Sequence, residues 1–374
     1  MPLPTRVIML VDFDYFFAQC EELRNPELKD KPVVVGVYSG RTEDSGAVST
    51  ANYVARKYKV KSGIPLYLAK KRLKGTEAVF LPVDSSYYEQ ISDKIMQALR
   101  DYADGFQQVG IDEAYLDVTQ KTQGSFKATA ALARKIKNDV KKQVGITVSV
   151  GAGPNKLVAK IAAGMQKPDG FTMIKPEDAE YFLWPLPVNR LIGVGRKFTV
   201  KMAELGIKTI GDLARYDVQK LVEIFGKKLG VYFHNASNGV DNEPVQETAE
   251  AESISRISTL KENSRDLMIV LEKTNKLIAE IHKDAVQRNV NFKQVGIIAI
   301  TTDLNVRSRS KTLDTATNDV EVLRQAVREL FEKFLSEANL EIRRVGVKIS
   351  HFSKEEREQK KLTSFFGGKQ ALII

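Results

Sequence analysis

Two apolar runs in the first third of the chain are joined to paired acids, and this constrains the fold more than any other feature. Arg6–Val11 (RVIMLV) leads into Asp12-Phe13-Asp14, and Asp112-Glu113 precedes Ala114–Val118. Both runs have the length and composition of buried strands. Side chains alternate faces along a strand, so Asp12 and Asp14 share one face and Phe13 takes the other. Carboxylates gathered at the ends of neighbouring strands need a cation, and hard oxygen ligands suit magnesium or manganese. Two such ions about 3.5–4 Å apart would clamp the attacking and leaving oxygens of a phosphoryl transfer. Acids at strand ends are also ordinary solvated turn residues, so the two pairs alone leave both readings open.

A chain of 374 residues has room for two or three domains. Its longest apolar stretches are strand-sized, far from the roughly 20 residues of a membrane helix. A charged strand within the first dozen residues speaks against a secretory signal. The single cysteine, Cys20, excludes an internal disulfide or a Cys-cluster metal site, and His234, His282 and His351 are too scattered for a His-rich one. A cytoplasmic protein is therefore expected. The 57 Lys and Arg exceed the 47 Asp and Glu by ten, and between Ala55 and Gly75 eight basic residues stand with no acid. That block points to a polyanionic partner or to a solvated helix face.

The first half alternates strands (Val33–Tyr38, Ile146–Ala152) with amphipathic helices (Asp84–Tyr102, Thr129–Val144), a mixed α/β pattern. Between about Pro176 and Gly239 short helical segments are punctuated by glycines (Leu191–Gly195, Phe198–Leu205, Thr209–Ala214, Val218–Phe225), as in a small all-helical domain. Val240–Ser253 carries five acids, no base and a proline, the signature of a polar linker. Strands return at Val295–Thr301 and Arg343–Ser350, with helices at Arg265–Arg288 and Asp319–Leu335. Ser353–Ile374 reads as a flexible tail.

Four segments in order, VDFDYFFAQCEE, SGAVSTANYVARKYKVKSGIP, GIDEAYLDV and GAGPNKLVAKIAAGMQKPDG, resemble the Y-family translesion DNA polymerases of the DinB branch, archaeal type. The likeness runs from about Arg6 to Phe352. It implies a right-hand α/β (α+β) fold: a ferredoxin-like palm (residues 1–15 and 83–175), small fingers (16–82), an all-helical thumb with a helix-hairpin-helix (176–239), a linker (240–253) and an α/β little finger (254–352). It implies template-directed addition of dNTPs to a primer 3′ end, with low processivity, no proofreading and bypass of lesions. Asp12, Asp112, Glu113 and the Phe13 carbonyl match the family's ligands for two Mg2+ ions, with Mn2+ as a substitute, and Glu113 is the catalytic carboxylate. Gly110 stands where the family usually has serine, which bears on rate rather than on reaction type. Phe17 matches the aromatic gate against a 2′-hydroxyl, and Tyr53, Arg56 and Lys167 match the triphosphate contacts.

The same likeness makes Gly193 and Gly195, in LIGVG, backbone contacts to DNA phosphate, where N–H groups and a helix N-terminus converge. Arg307, Arg309 and Lys311 alternate along an extended segment and so share a face, suited to a phosphate track; Arg343 and Arg344 open the last strand. Gln359, Leu362, Phe365 and Phe366 fit the peptide that docks into archaeal and eukaryotic sliding clamps. The expected partners are primer-template DNA, dNTP and a clamp, with no membrane, and the protein is expected to be a monomer. Two rivals are a non-catalytic clamp-tethered scaffold, disfavoured by the intact acids, and a nucleotide cyclase, for which the thumb, little finger and tail would be superfluous.

Overall fold

The computed structural model describes residues 5–247 and 251–354, which form two compact units, residues 5–37 with 46–247 and residues 38–45 with 251–354. The clamp-peptide residues Gln359, Leu362, Phe365 and Phe366 lie outside the described residues.

The first unit begins with β1 (Ile8–Phe13) and α1 (Phe16–Arg24). A small sheet follows, β2 (Val33–Tyr38), β3 (Gly46–Ala51) and β4 (Val79–Pro82), with α2 (Tyr53–Arg56) and α3 (Leu66–Arg72) between the last two strands. Val34, Val48, Ala55, Leu66 and Ala69 form its own small core. Next come α4 (Ser85–Arg100), β5 (Gly105–Gln108), β6 (Glu113–Asp117), α5 (Thr119–Thr122), α6 (Phe126–Val144), β7 (Val148–Gly153), α7 (Lys156–Ala163) and β8 (Phe171–Met173). These strands make one sheet in the order β5-β6-β1-β7-β8, with β1 antiparallel to both neighbours. The first four have the β-α-β-β-α-β connectivity and order of a ferredoxin-like fold.

Alternation along β1 decides which side each residue serves. Met9, Val11 and Phe13 join Ile91, Ile95 and Leu99 of α4 and Ala133, Ile136 and Val140 of α6 in the main core. Ile8 and Leu10 point to the other face, where they meet Tyr115, Ala159 and Ala163. Helix α7 lies on that second face because Gly151 allows it. A Cβ there would stand 2.1 Å from the Ala159 carbonyl oxygen and 2.2 Å from the Ala163 nitrogen, so only glycine permits this close backbone approach.

Five helices complete the described part of the unit: α8 (Ala179–Leu183), α9 (Arg196–Glu204), α10 (Ile210–Ala214), α11 (Val218–Phe225) and α12 (Lys227–Ser237). Leu183, Val188, Leu191, Met202, Ile210, Leu213, Leu221 and Phe233 form their core. The expected helix at Leu191–Gly195 is instead a tight turn, with Gly193 at φ 84° and the Tyr232 hydroxyl donating to the Ile192 carbonyl at 2.8 Å. Helix α12 escaped the sequence reading because Gly226 and Gly230 interrupt its pattern. Gly230 is required there, since a Cβ at that position would stand 2.5 Å from the Val222 backbone nitrogen.

The acidic stretch expected to be a linker from Val240 onward is not free at its start. Asp241 Oδ2 accepts from the Leu157 N–H at the start of α7 at 3.0 Å, Glu243 pairs with Lys156 at 2.8 Å, and Glu247 pairs with Arg100. Val245 packs on the Ile8–Leu10 face. Alternate residues of an extended segment face the sheet, and cations wait there for its acids.

The second unit contains β9 (Ser253–Ser264), α13 (Leu267–Gln287), β10 (Val290–Thr301), β11 (Val306–Thr317), α14 (Val320–Glu337) and β12 (Ile342–Lys354). Its antiparallel sheet has the order β11-β10-β12-β9. Val295, Ile297 and Ala299 of β10 and Val345, Val347 and Ile349 of β12 pack with Ile278 and Ile281 of α13 and Val327, Phe331 and Phe334 of α14. Strand β9 begins inside the stretch expected to be linker, and it reads weakly because an edge strand buries little: only Ile254 and Leu260 are fully enclosed.

Candidate active site

The two acidic pairs meet. Asp12 and Glu113 are direct cross-strand partners on β1 and β6, and the Phe13 N–H donates to the Asp112 carbonyl at 2.8 Å. Directly opposed residues of an antiparallel pair have side chains on one face, here the face that carries α7. The crowding is visible in the acidities. Burial pushes the Asp12 carboxyl up to about 6, Lys167 opposes that, and the charges of Asp112 and Glu113 add to it. Burial and then Glu113 raise Asp112 as well.

Two lysines answer this concentration of negative charge. Lys160 of α7 grips Glu113 through both oxygens, at 2.7 and 3.0 Å, and Lys167 pairs with Asp12. Among the described residues no three carboxylate, imidazole or thiol groups converge closely enough to hold a metal ion as they stand. The donor set is nonetheless all oxygen and clustered, with the Asp12 and Asp112 carboxyls made less acidic by burial and then by neighbouring negative charge, which fits a hard divalent cation. The Phe13 carbonyl sits beside Asp12 at the end of β1.

Asp14 belongs to the scaffold. It is fully buried, accepts from the Ser149 hydroxyl at 2.7 Å and from the Asp169 N–H at 2.8 Å. Lys137 adds an ion pair to Asp169 at 2.9 Å. Together these contacts fix the loop that carries Lys167. Gly170 is needed in the same loop, because a Cβ there would fall 2.0 Å from the Gln166 carbonyl oxygen.

An aromatic wall lies beside the acids. Tyr15, in the left-handed conformation at φ 34°, turns the chain from β1 into α1. Its ring meets Tyr53 edge-on at 5.3 Å, and the Arg56 guanidinium covers Tyr53 at 4.6 Å. The Arg56 Nε donates to the Ala51 carbonyl at 2.9 Å. Phe17, half-buried in the first turn of α1, stacks on Tyr88 with centroids 4.5 Å apart and planes at 17°. Tyr88 is anchored in turn by donating to Glu21 at 2.6 Å. A ring braced this way resists displacement by an incoming group.

Gly195 precedes α9 with no side-chain cap, and a Cβ there would meet nothing within 4 Å, so the first N–H groups of the helix face open space. In the second unit the reading needs correction. Arg307, Arg309 and Lys311 do share a face, but they sit opposite Ala299, Ile297 and Val295, on the helix side of the sheet. Each already has an acid: Arg307 with Asp303 at 2.8 Å, Arg309 with Glu337 at 3.2 Å, Lys311 with Glu329 at 2.7 Å. The opposite face is different. No described helix of the unit covers it, and along the four strands it presents Ser255, Ile257 and Thr259, then Ile298, then Ser308 and Ser310, then Arg344, Gly346 and Lys348, without one acid among them. Arg344 Nε has no hydrogen-bond partner among the described residues. Arg343 lies at the irregularity that opens β12.

Sequence reasoning missed Tyr15, Lys160 and the open face of the second sheet. Lys156 and Lys160 were singled out for no role; the signal that could have placed them was Gly151, which seats α7 on β7.

The fold and the acids define a metal-dependent nucleotidyl-transfer palm joined to helical and α/β accessory regions. The impB/mucB/samB family matches residues 11–164 and its C-terminal domain residues 251–362, while the thumb domain of DNA polymerase iota matches residues 189–241. A DNA polymerase IV of Nitrosopumilus maritimus is 45% identical over 97% of this chain and 100% of its own length. DNA polymerase IV 1 of Methanosarcina mazei is 41% identical over 95% and 98%. Among solved structures, a Y-family polymerase chimera of Dbh and Dpo4 is 37% identical, with TM-score 0.87 over 93% of this chain and 99% of its own. An insertion ternary complex of Dbh polymerase has TM-score 0.66 at 37% identity, over 92% and 98%. The chain belongs to the Y-family DNA polymerases, in the archaeal DNA polymerase IV branch.

Proposed function

We propose that this chain, a translesion DNA-directed DNA polymerase by family, performs its chemistry at Asp12, the Phe13 carbonyl, Asp112 and Glu113. The observation that carries the reading is the cross-strand pairing of Asp12 with Glu113 beside Asp112, whose carboxyl burial and then the Glu113 charge make less acidic. These four groups would hold two Mg2+ ions, which supply the charge that activates the primer hydroxyl and neutralises the departing pyrophosphate. The chain's own residues do the positioning. Lys167, Arg56 and Tyr53 offer cations and a phenol to a triphosphate, and Tyr15 braces Tyr53. Phe17, held against Tyr88, rejects a 2′-hydroxyl by overlap. A hydroxyl at position 110 would be tolerated: a Cβ there lies 3.5 Å from Asp112 Oδ1, an ordinary van der Waals separation.

DNA would be held by phosphate contacts that carry no base preference. Gly193, Gly195 and the uncapped α9 terminus serve in the thumb. In the little finger the helix-free face with Arg344 and Lys348 is the principal surface, with Arg343 at its edge. The paired Arg307, Arg309 and Lys311 on the helix side are secondary. The regions read as palm 1–15 and 83–175, fingers 16–82, thumb 176–239 and little finger 254–352. Low processivity and synthesis without proofreading come with the family.

Primer extension with Mg2+ tests the site. Asp112→Ala/Glu113→Ala should abolish extension while primer-template affinity is retained; extension at wild-type rate would overturn the assignment. A tethered partner is proposed too: Phe365→Ala/Phe366→Ala should leave extension on a bare primer intact and remove stimulation by a loaded sliding clamp. No helix of the described residues is long and apolar enough to cross a membrane, and we read the protein as a cytoplasmic monomer.

A further inference from the structure

The ion pair between Lys160 and Glu113 has no part in the reading above, and its geometry gives it one. Lys160 stands on α7, which Gly151 seats directly on β7, so its ammonium is delivered to the β1–β6 strand ends by the fold rather than by a flexible loop. Among the described residues its hydrogen-bond partners are the two oxygens of Glu113, at 2.7 and 3.0 Å. Glu113 is well enclosed, its side chain 16% exposed, whereas Lys160 is 36% exposed and can swing outward. A divalent cation at this carboxylate needs lone pairs that the ammonium already engages, and it meets a neighbouring positive charge as well.

We propose that Lys160 is a positioning residue that competes with the divalent cation for Glu113, and so sets how much metal the primer-side site requires. The inference rests on Glu113 being a metal-binding carboxylate, as read above. The two lysines of the site then differ in how they are released. Lys167 can leave Asp12 for the triphosphate of an incoming nucleotide, so nucleotide arrival itself frees that carboxylate. Lys160 has Glu113 as its hydrogen-bond partner, and in this proposal the arriving cation displaces it. The site beside Glu113 therefore fills at higher metal concentration than the site that the nucleotide opens.

Metal binding to the DNA-free, nucleotide-free protein reads this directly. Mn2+ titration followed by electron paramagnetic resonance should show Lys160→Met binding about 2–5-fold more tightly than wild type, the size expected for removing a partly exposed charge. Lys160→Arg keeps a cation facing both oxygens and should stay near wild type. In a Glu113→Gln background Lys160→Met should change nothing. In primer extension, Lys160→Met should lower the half-saturating Mg2+ concentration by a similar factor and leave KM for dNTP unchanged. Unaltered or weaker Mn2+ binding by Lys160→Met, with a wild-type melting temperature, would overturn the proposal. If Glu113→Gln itself loses no Mn2+ affinity, the metal-site reading falls and the competition with it. If Glu113→Gln loses affinity while Lys160→Met matches wild type, only the competition falls.

Discussion

The palm sheet and the sheet of the second unit are built from the same run of elements, strand-helix-strand-strand-helix-strand, and do opposite things with it. In the palm the order β5-β6-β1-β7 places the first strand at the centre; in the second unit the order β11-β10-β12-β9 sends the first strand to the edge. A central first strand lets Asp12 meet Glu113 on one side and Ser149 on the other. Each sheet covers one face with two helices. The other palm face collects acids at its strand ends and then needs lysines to balance them. Across its middle, the corresponding face of the second unit presents serines and a threonine, Gly346, two isoleucines and the cations Arg344 and Lys348. In the proposed reading, one face concentrates charge for chemistry, and the other offers cations to a phosphate backbone.

This contrast can be broken by experiment. The largest effect should come from Asp112→Ala/Glu113→Ala. Extension should fall by several orders of magnitude, and DNA affinity should hold or improve because negative charge near the phosphates is removed. Single-nucleotide incorporation and a binding isotherm on the same protein give both numbers; weakened binding matching the missing activity would show that the palm acids support the fold instead.

Phe17→Ala should come next, reducing selection of dNTP over rNTP by at least about tenfold, since that is the effect of roughly 1.4 kcal/mol less discrimination. Phe17→Tyr should keep selection, because overlap rather than hydrogen bonding does the rejecting. Equal selectivity in wild type and Phe17→Ala would mean the ring stacked on Tyr88 is simply core.

The two faces of the second sheet are separated by salt. Arg344→Ala/Lys348→Ala should flatten the dependence of DNA affinity on salt by about two units, one for each phosphate that no longer meets a cation. Arg307→Ala/Arg309→Ala should flatten it by less, because Asp303 and Glu337 already neutralise those cations. A reversed ranking would return the phosphate track to the helix side.

The smallest effect concerns stability. A carboxyl raised to about 6 in the folded protein binds its proton more tightly than in the unfolded chain, so the Asp12 charge costs stability above that pH and the cost disappears as pH falls below it. In EDTA, Asp12→Asn should therefore melt a few degrees higher than wild type at pH 8, with the gap falling to about half by pH 5 and closing only as the pH reaches the unfolded value of 3.8. A constant gap across that range would mean that the gain comes from packing.

The amino-acid order by itself marked the family, through four ordered segments, and the positions of its acids. Asp12, Asp112 and Glu113 were legible because acids on apolar strands break a strong local pattern. The core strands β1, β6 and β10 and the long helices α4, α6, α13 and α14 were legible because burial of one face imposes a period. Edge strands β9 and β11 were not, since a strand wet on both sides owes its residues no alternation. What only the tertiary structure decided was orientation. Arg307, Arg309 and Lys311 share a face in any extended chain, but which face is set by the register of β11 on β10. Lys160 looks like any helix-surface lysine until Gly151 brings its helix against the sheet and its ammonium onto Glu113. Local periodicity is written in neighbouring residues; a partner 47 positions away, like Glu113 for Lys160, is fixed only when the backbone closes the distance.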